Sequence, residues 1–260
     1  MTLMSPQIAK DAAIRMFARL DLRSVALLFD VDGTLVEIGS SPFEVHVPAD
    51  LLGALRRLSE LTGGALALVS GRPIADLDYL FAPLKLPSVG GHGVELRLRA
   101  EETRPPQRRL SAKFRLRLAE AAKFDPGILV EDKGYSLALH YRKSPHCAER
   151  IRKHIAICRA AFAAEPTELL LGKAMFEVKL PGINKGDAVR ELMTHPPFAG
   201  RTPVFVGDDI TDEAVFKAMP ALGGKSFSVT RHFPGLCGIF ESPRQVVRAL
   251  QQLAGKAQSS

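Results

Sequence analysis

The sequence predicts an α/β protein: a parallel-sheet core with a smaller α+β domain inserted into it. Three observations carry this. First, three short apolar runs, 25–28, 65–69 and 203–206, show no alternation, and each ends at polar turn-forming residues. Such runs suit strands buried on both faces of a parallel sheet. Second, segments of helical apolar spacing separate these runs, which is the grammar of strand–helix–strand crossovers. Third, between about residues 94 and 180 the apolar residues alternate with polar ones, the mark of a sheet with one wet face. The expected division is a Rossmann-like core of residues 1–103 and 181–260, with residues 104–180 as the inserted domain.

Taken in chain order, Ile8, Met16, Phe17 and Leu20 fit a short amphipathic helix that packs on the body. Lys10, Asp11 and Arg15 interrupt its apolar pattern, so it does not read as a secretory signal. The first buried run, Val25-Ala26-Leu27-Leu28, leads into Phe29-Asp30-Val31-Asp32-Gly33-Thr34-Leu35. Leu51, Leu55, Leu58 and Leu61 have helical spacing, and Gly63-Gly64 ends that helix. The second run ends in Ser70-Gly71-Arg72-Pro73, and a helix restarts from Ile74. Gly90-Gly91-His92-Gly93 is a turn that does not fit a dinucleotide-binding glycine pattern. Val94, Leu96 and Leu98 then alternate with Glu95, Arg97 and Arg99, a half-exposed strand.

In the inserted domain, Pro105-Pro106 marks a linker, 110–124 and 150–164 read as amphipathic helices, and 135–141 and 176–180 read as strands. The core grammar returns at Gly182-Ile183-Asn184-Lys185-Gly186, which precedes a helix to about Met193. The third buried run ends in Gly207-Asp208-Asp209, and Thr211-Asp212-Glu213 opens another helix. Two short strands, 227–229 and 238–240, a last helix around Val246 and Leu250, and a disordered tail from Gly255 complete the expectation.

Composition narrows the function classes. No stretch of the 260 residues approaches a membrane span. Cys147, Cys158 and Cys237 form no Cys-x-x-Cys pair, so a disulfide framework or zinc site is not expected and a reducing cytoplasm is. The formal net charge is +7. Its densest stretch, Arg97, Arg99, Arg104, Arg108, Arg109, Lys113, Arg115 and Arg117, has Phe114 alone among aromatics and no accompanying nucleic-acid motif. It reads as a solvated face rather than a nucleic-acid surface.

The chemistry lies where the buried runs end. In a parallel sheet the ends bearing Asp30/Asp32, Ser70-Gly71-Arg72 and Asp208/Asp209 lie on one edge, where ligands bind. Carboxylates at the ends of buried strands must be paired, hydrogen-bonded or metal-bound, and paired Asp residues suit a hard cation such as Mg²⁺. Phosphoryl transfer needs positioning and charge neutralisation, which this set offers. Asp30 is expected as the nucleophile and Asp32 as the acid/base. Mg²⁺ would be held by Asp30, Asp208 and the backbone carbonyl of Asp32, with Asp209 and Asp212 orienting its waters. Ser70 would bond a phosphate oxygen, and Lys185 would add positive charge at a helix start.

Asp30-x-Asp32-Gly33-Thr34, then Ser70, Lys185 and Gly207-Asp208-Asp209, resemble in that order the motifs of the haloacid dehalogenase-like phosphatase superfamily. The insertion between the second and third elements looks like that superfamily's C2-type cap. A closer resemblance is to the trehalose-6-phosphate phosphatase family. Gly207-Asp208-Asp209-Ile210-Thr211-Asp212-Glu213 is similar to its signature, with Ile210 where the family commonly has valine. Gly91-His92-Gly93-Val94-Glu95, Glu131-Asp132-Lys133-Gly134 and His140-Tyr141-Arg142 also look like family motifs. The resemblance implies Mg²⁺-dependent hydrolysis of trehalose 6-phosphate through an aspartyl-phosphate. It implies substrate contacts at Asp30, Val31, Asp32, Ser70, Gly71, Arg72 and His92 in the core, and at Glu131, Lys133, Lys173 and Glu177 in the cap. Glu177 and Lys179 stand on the polar face of an alternating strand, facing either a sugar or bulk water. A monomer acting on a small sugar phosphate, without nucleic acid or membrane, is expected. The alternatives are a phosphatase for another sugar phosphate such as sucrose phosphate, a phosphomutase using the same intermediate, and a non-catalytic sugar-phosphate-binding protein.

Overall fold

A computed structural model describes residues 13–38, 45–99, 103–104 and 109–256. The chain divides into two compact units at 105/106 and 183/184. The larger is built on β1 (Val25–Phe29), α1 (Ala49–Leu61), β2 (Leu66–Val69), α2 (Ile74–Leu80), β3 (Ser88–Gly90), β4 (Glu95–Arg97) and β5 (Thr103–Arg104). The smaller contains α3 (Ala112–Ala119), β6 (Leu129–Asp132), β7 (Ser136–His140), α4 (Ala148–Ala161), β8 (Glu168–Gly172) and β9 (Met175–Lys179). The chain then returns to the larger unit with α5 (Lys185–Leu192), β10 (Thr202–Gly207), α6 (Glu213–Ala218), β11 (Lys225–Val229), β12 (Gly238–Phe240) and α7 (Pro243–Lys256).

The large sheet has the order β12-β11-β10-β1-β2-β3-β4-β5. Its strands are parallel from β12 to β3; β4 and β5 pair antiparallel. The three predicted runs are the neighbours β10, β1 and β2, with Phe29 level with Val206 on one side and Leu68 on the other. Side chains of a strand alternate between faces, and here both faces are dry. Val25, Leu27 and Phe29 pack with Leu51, Leu55 and Leu58 of α1 and with Leu250 of α7. Ala26 and Leu28 pack with Val189 and Leu192 of α5 and with Val215 and Phe216 of α6. That two-sided burial is why the run shows no alternation. Residues 13–17 are helical, and Phe17 meets Phe227 and Phe240 edge-on at 5.7 and 5.8 Å between ring centroids. Met16, expected to pack, is exposed, and Ile8 lies outside the described residues.

The second unit is an antiparallel sheet, β6-β7-β9-β8, with α3 and α4 packed together and α3 against β7. Phe114, Leu118, Ile151, Ile155 and Cys158 form the buried faces of the two helices. The Ser111 hydroxyl caps α3 by accepting from the Phe114 N–H at 3.2 Å, as hydroxyls do at helix N-termini.

Four expectations are corrected. Arg97 is not on a solvated face: it is 2% exposed, donating to the Leu86 carbonyl and pairing with Asp78 at 2.7 Å. A guanidinium's fixed fork satisfies both partners at once, which makes the burial tolerable. Glu177 and Lys179 do not face bulk water; both are buried. Glu177 accepts from the Ser136 hydroxyl at 2.6 Å and pairs with Lys133, while Lys179 pairs with Glu168 and donates to the Ile183 carbonyl. Alternation therefore marks hydrogen-bonded polar burial here rather than a wet face. The last helix runs through Lys256, so Gly255 and Lys256 are helical, and residues 257–260 of the expected tail lie outside the described residues. The helix expected from 150 begins at Ala148 and ends at Ala161, leaving Phe162 as its C-cap. Among the described residues no helix is long and apolar enough to cross a membrane.

Candidate active site

Asp30 follows β1 directly, and its N–H donates to the Val206 carbonyl of β10 at 2.9 Å. The chain then turns back on itself: the N–H groups of Thr34, Leu35 and Val36 all reach the Val31 carbonyl. Gly33 makes this turn at φ +87°, a conformation that side chains rarely adopt. A Cβ there would also lie 2.2 Å from Oδ2 of Asp208. The bare glycine is what lets the Asp30 turn and the end of β10 approach.

Three carboxylates meet in that space. Oxygens of Asp30, Asp208 and Asp212 lie within 4.8 Å of one another. The Lys185 ammonium donates to Oδ1 of Asp30 and to Oδ1 of Asp212, both at 2.7 Å. All three groups of this bridge are buried, at 3%, 6% and 0% side-chain exposure for Lys185, Asp30 and Asp212. Lys185 reaches the site from the first position of α5, whose N-cap Asn184 accepts from the Asp187 N–H. The other oxygen of Asp212 accepts from the N–H groups of Asp208 and Asp209, at 3.0 and 3.1 Å. Asp212 thus closes the loop after β10 in a reciprocal cap with Asp209. Asp209 turns outward to Arg231 at 3.0 Å.

On the other side of Asp30, Arg72 forks onto Asp32, with Nε to Oδ2 and Nη2 to Oδ1, both at 2.6 Å. Ser70 follows β2 and is buried; its Oγ accepts from the Arg72 N–H at 3.1 Å. Gly71 packs against the His92 ring, which a Cβ at Gly71 would meet at 2.5 Å.

The charges of the site do not balance. Asp32 has Arg72 and Asp209 has Arg231. Among the described residues Asp30, Asp208 and Asp212 share one cation, Lys185, which leaves two surplus negative charges when all three acids are ionised. The same crowding resists ionisation of the acids. Burial pushes the Asp30 carboxyl well above the usual carboxylate range, Asp212 adds to this and Lys185 opposes it. Burial, then Asp212 and Asp209, push Asp208 up to about 7. Burial alone would favour a neutral Lys185, but Asp212 and Asp30 outweigh it and hold the ammonium. Oδ1 of Asp208 is buried with no hydrogen-bond partner among the described residues. Hard carboxylate oxygens, a two-charge deficit and an orphaned acceptor fit a divalent cation.

The sequence-predicted core residues therefore fall into two adjoining groups: Asp30, Lys185, Asp208 and Asp212 in one, Asp32, Ser70, Gly71, Arg72 and His92 in the other. Sequence reasoning missed the pairing of Arg72 with Asp32, the Asp209–Arg231 pair and the contact of Glu95 with the start of α2. In the second unit Lys133 lies 3.6 Å from Glu131 and 3.3 Å from Glu177. His140 joins them through Glu131 at 3.0 Å. Lys173 stands apart in the exposed turn between β8 and β9.

The family described as trehalose-phosphatase matches residues 28–234. A probable trehalose-phosphate phosphatase of Sinorhizobium fredii is 37% identical, covering 90% of this chain and 90% of that protein. The Escherichia coli trehalose-6-phosphate phosphatase is also 37% identical, over 78% of this chain and 77% of its own. In fold, the chain resembles the C-terminal domain of a Candida albicans trehalose-6-phosphate phosphatase with a TM-score of 0.77, at 23% identity, covering 94% of this chain and 96% of that one.

Proposed function

The chain belongs to the trehalose-phosphatase family and is a phosphatase, and we propose that it hydrolyses trehalose 6-phosphate to trehalose and phosphate with Mg²⁺, through an aspartyl-phosphate on Asp30. The observation that carries this reading is the charge deficit at the ends of β1 and β10: three clustered carboxylates, one of them Asp30, against a single buried ammonium among the described residues.

Both oxygens of Asp212 are already engaged, by Lys185 and by two backbone N–H groups. The direct ligands of Mg²⁺ would therefore be Asp30 and Asp208, with the Asp32 backbone carbonyl. When bound, the ion supplies positive charge to a phosphoryl group. The chain's own groups do the rest. A carboxylate oxygen of Asp30 forms a bond to phosphorus as the bond from phosphorus to the sugar oxygen breaks. Asp32 gives its proton to that oxygen. Water then attacks phosphorus, Asp32 takes its proton, and the bond to Asp30 breaks, releasing phosphate. Lys185 fixes the Asp30 carboxylate. Arg72 fixes the direction of the Asp32 carboxyl through its two bonds, and the acid step requires the fork to release one oxygen.

The sugar would be recognised by the Glu131–Lys133–Glu177 network, whose members are held by Ser136 and His140. Ser70, Gly71, Val31 and His92 would line the phosphate end, and Lys173 would be free to reach a bound disaccharide from its turn. The protein is proposed to act as a monomer in a reducing cytoplasm, a reading that rests on a sequence without a Cys-x-x-Cys pair.

Phosphate release from a panel of sugar phosphates, with and without Mg²⁺, tests the reading. Release is expected to be strongest from trehalose 6-phosphate, absent after chelation, and absent in Asp30→Asn. Strongest release from another sugar phosphate would overturn the substrate, and full activity of Asp30→Asn would overturn the mechanism. A second expectation follows from the close approach at Gly33. Gly33→Ala should lower phosphate release by ~10²-fold, because its Cβ displaces Asp208 by a large fraction of an ångström or more; wild-type rates in that variant would sink this account of the glycine.

A further inference from the structure

We infer that Glu95 is a positioning residue for the acid/base group, acting through the start of α2 and through Arg72 on Asp32; this rests on the roles proposed above for Asp30 and Asp32. Helix α2 begins at Ile74, and its N-cap is Pro73, which offers no capping side chain. The first N–H groups of a helix need a partner from elsewhere. Glu95, in β4, supplies it: its Oε2 accepts from the Ile74 N–H at 2.6 Å. A carboxylate at a helix N-terminus is favoured by charge as well as by hydrogen bonding.

The contact is built into the packing. A Cβ at Gly90 would lie 2.9 Å from that carboxylate and 2.7 Å from the Ile74 side chain, so only glycine leaves room for the approach. The same segment carries the rest of the Ser70–Arg72 loop. The His92 N–H donates to the Ser70 carbonyl, the Gly91 N–H to the Arg72 carbonyl, and the Ser70 N–H to the Val89 carbonyl. The loop is thus clamped along its backbone from Val89 to His92 and at its exit by Glu95. Arg72 lies inside that clamp, two residues before Ile74. A two-toothed fork at 2.6 Å tolerates little displacement of its backbone. Releasing the Ile74 end lets Arg72 drift and leaves Asp32 without a fixed direction.

The test separates positioning of the acid from general damage. Asp32 is needed as an acid when a sugar alkoxide leaves, and is not needed when the leaving group is p-nitrophenolate. The ratio kcat/KM covers binding and this first chemical step and leaves out hydrolysis of the aspartyl-phosphate. Glu95→Ala is expected to lower kcat/KM for trehalose 6-phosphate by ~10- to 100-fold and for p-nitrophenyl phosphate by no more than ~3-fold. Glu95→Gln keeps an acceptor oxygen and is expected to stay within ~3-fold of wild type on both. Hydrogen exchange at the Ile74 amide should quicken in Glu95→Ala and stay protected in Glu95→Gln. Equal losses on both substrates, or unchanged exchange at Ile74, would overturn the proposal. A wild-type protein without phosphatase activity would sink the reading of Asp30 and Asp32, while the exchange measurement would still decide whether Glu95 caps α2.

Discussion

Lys185→Met is expected to lower the unfolding free energy by about 3–5 kcal/mol, as removal of one partner from a buried ion pair does. The reason is arithmetic. Lys185 bonds both Asp30 and Asp212, and all three are buried. Methionine fills a similar volume but leaves those carboxylates uncompensated in a poorly solvated space. For a chain of this size the melting temperature should fall by roughly 6–20 °C. Phosphate release should fall by ~10²–10³-fold, as on loss of a buried charge beside a reacting group. Lys185→Arg should not restore it, because a planar fork cannot sit as a point charge between two oxygens that both lie 2.7 Å from the ammonium. Added Mg²⁺ should raise the melting temperature of Lys185→Met more than that of wild type, since a divalent cation then answers a larger deficit. Calorimetry with and without Mg²⁺ checks this; an unchanged melting temperature would mean that the bridge contributes nothing.

Asp208→Asn is expected to stabilise the metal-free protein while abolishing Mg²⁺-dependent stabilisation and activity. Burial and the acids Asp212 and Asp209 push the Asp208 carboxyl up to about 7, against an ordinary aspartate value near 3.9 in the unfolded chain. The sign follows. Below pH ~4 the group is protonated in both states and contributes nothing. Between pH ~4 and 7 the unfolded chain ionises it and the folded protein does not, so stability falls as pH rises. Above 7 the penalty is complete, on the order of 1–4 kcal/mol. Bound cation removes the penalty. Metal-free wild type should therefore melt higher at pH 5.5 than at pH 7.5, with Asp208→Asn flattening that difference and Mg²⁺ erasing it at the higher pH. A metal-free melting temperature that rises with pH over this window would contradict the assignment.

The parallel core was legible because β1, β2 and β10 are dry on both faces, and a strand dry on both faces must be written in apolar residues without alternation. The site was legible for a related reason: acids placed directly after such runs have no cheap structural explanation. Four strands left little trace, among them β5 with its two residues. β3 has three residues, β6 is half acidic, and β8 is an edge strand only partly buried, so none shows a clear period. Polar burial was illegible too. Arg97, Glu177 and Lys179 look like surface residues in the chain and are buried because partners distant in sequence satisfy them.

The sequence by itself determined the fold class, the family and the set of residues that gather at one edge of the sheet. The tertiary structure alone decided who partners whom. Lys185 meets Asp30 across 155 residues, and Arg72 meets Asp32 across 40. The reason is physical: hydrophobic periodicity records only whether a position is dry. Which charge answers which depends on distances of a few ångströms set by strand register and by glycines such as Gly33 that let two loops touch.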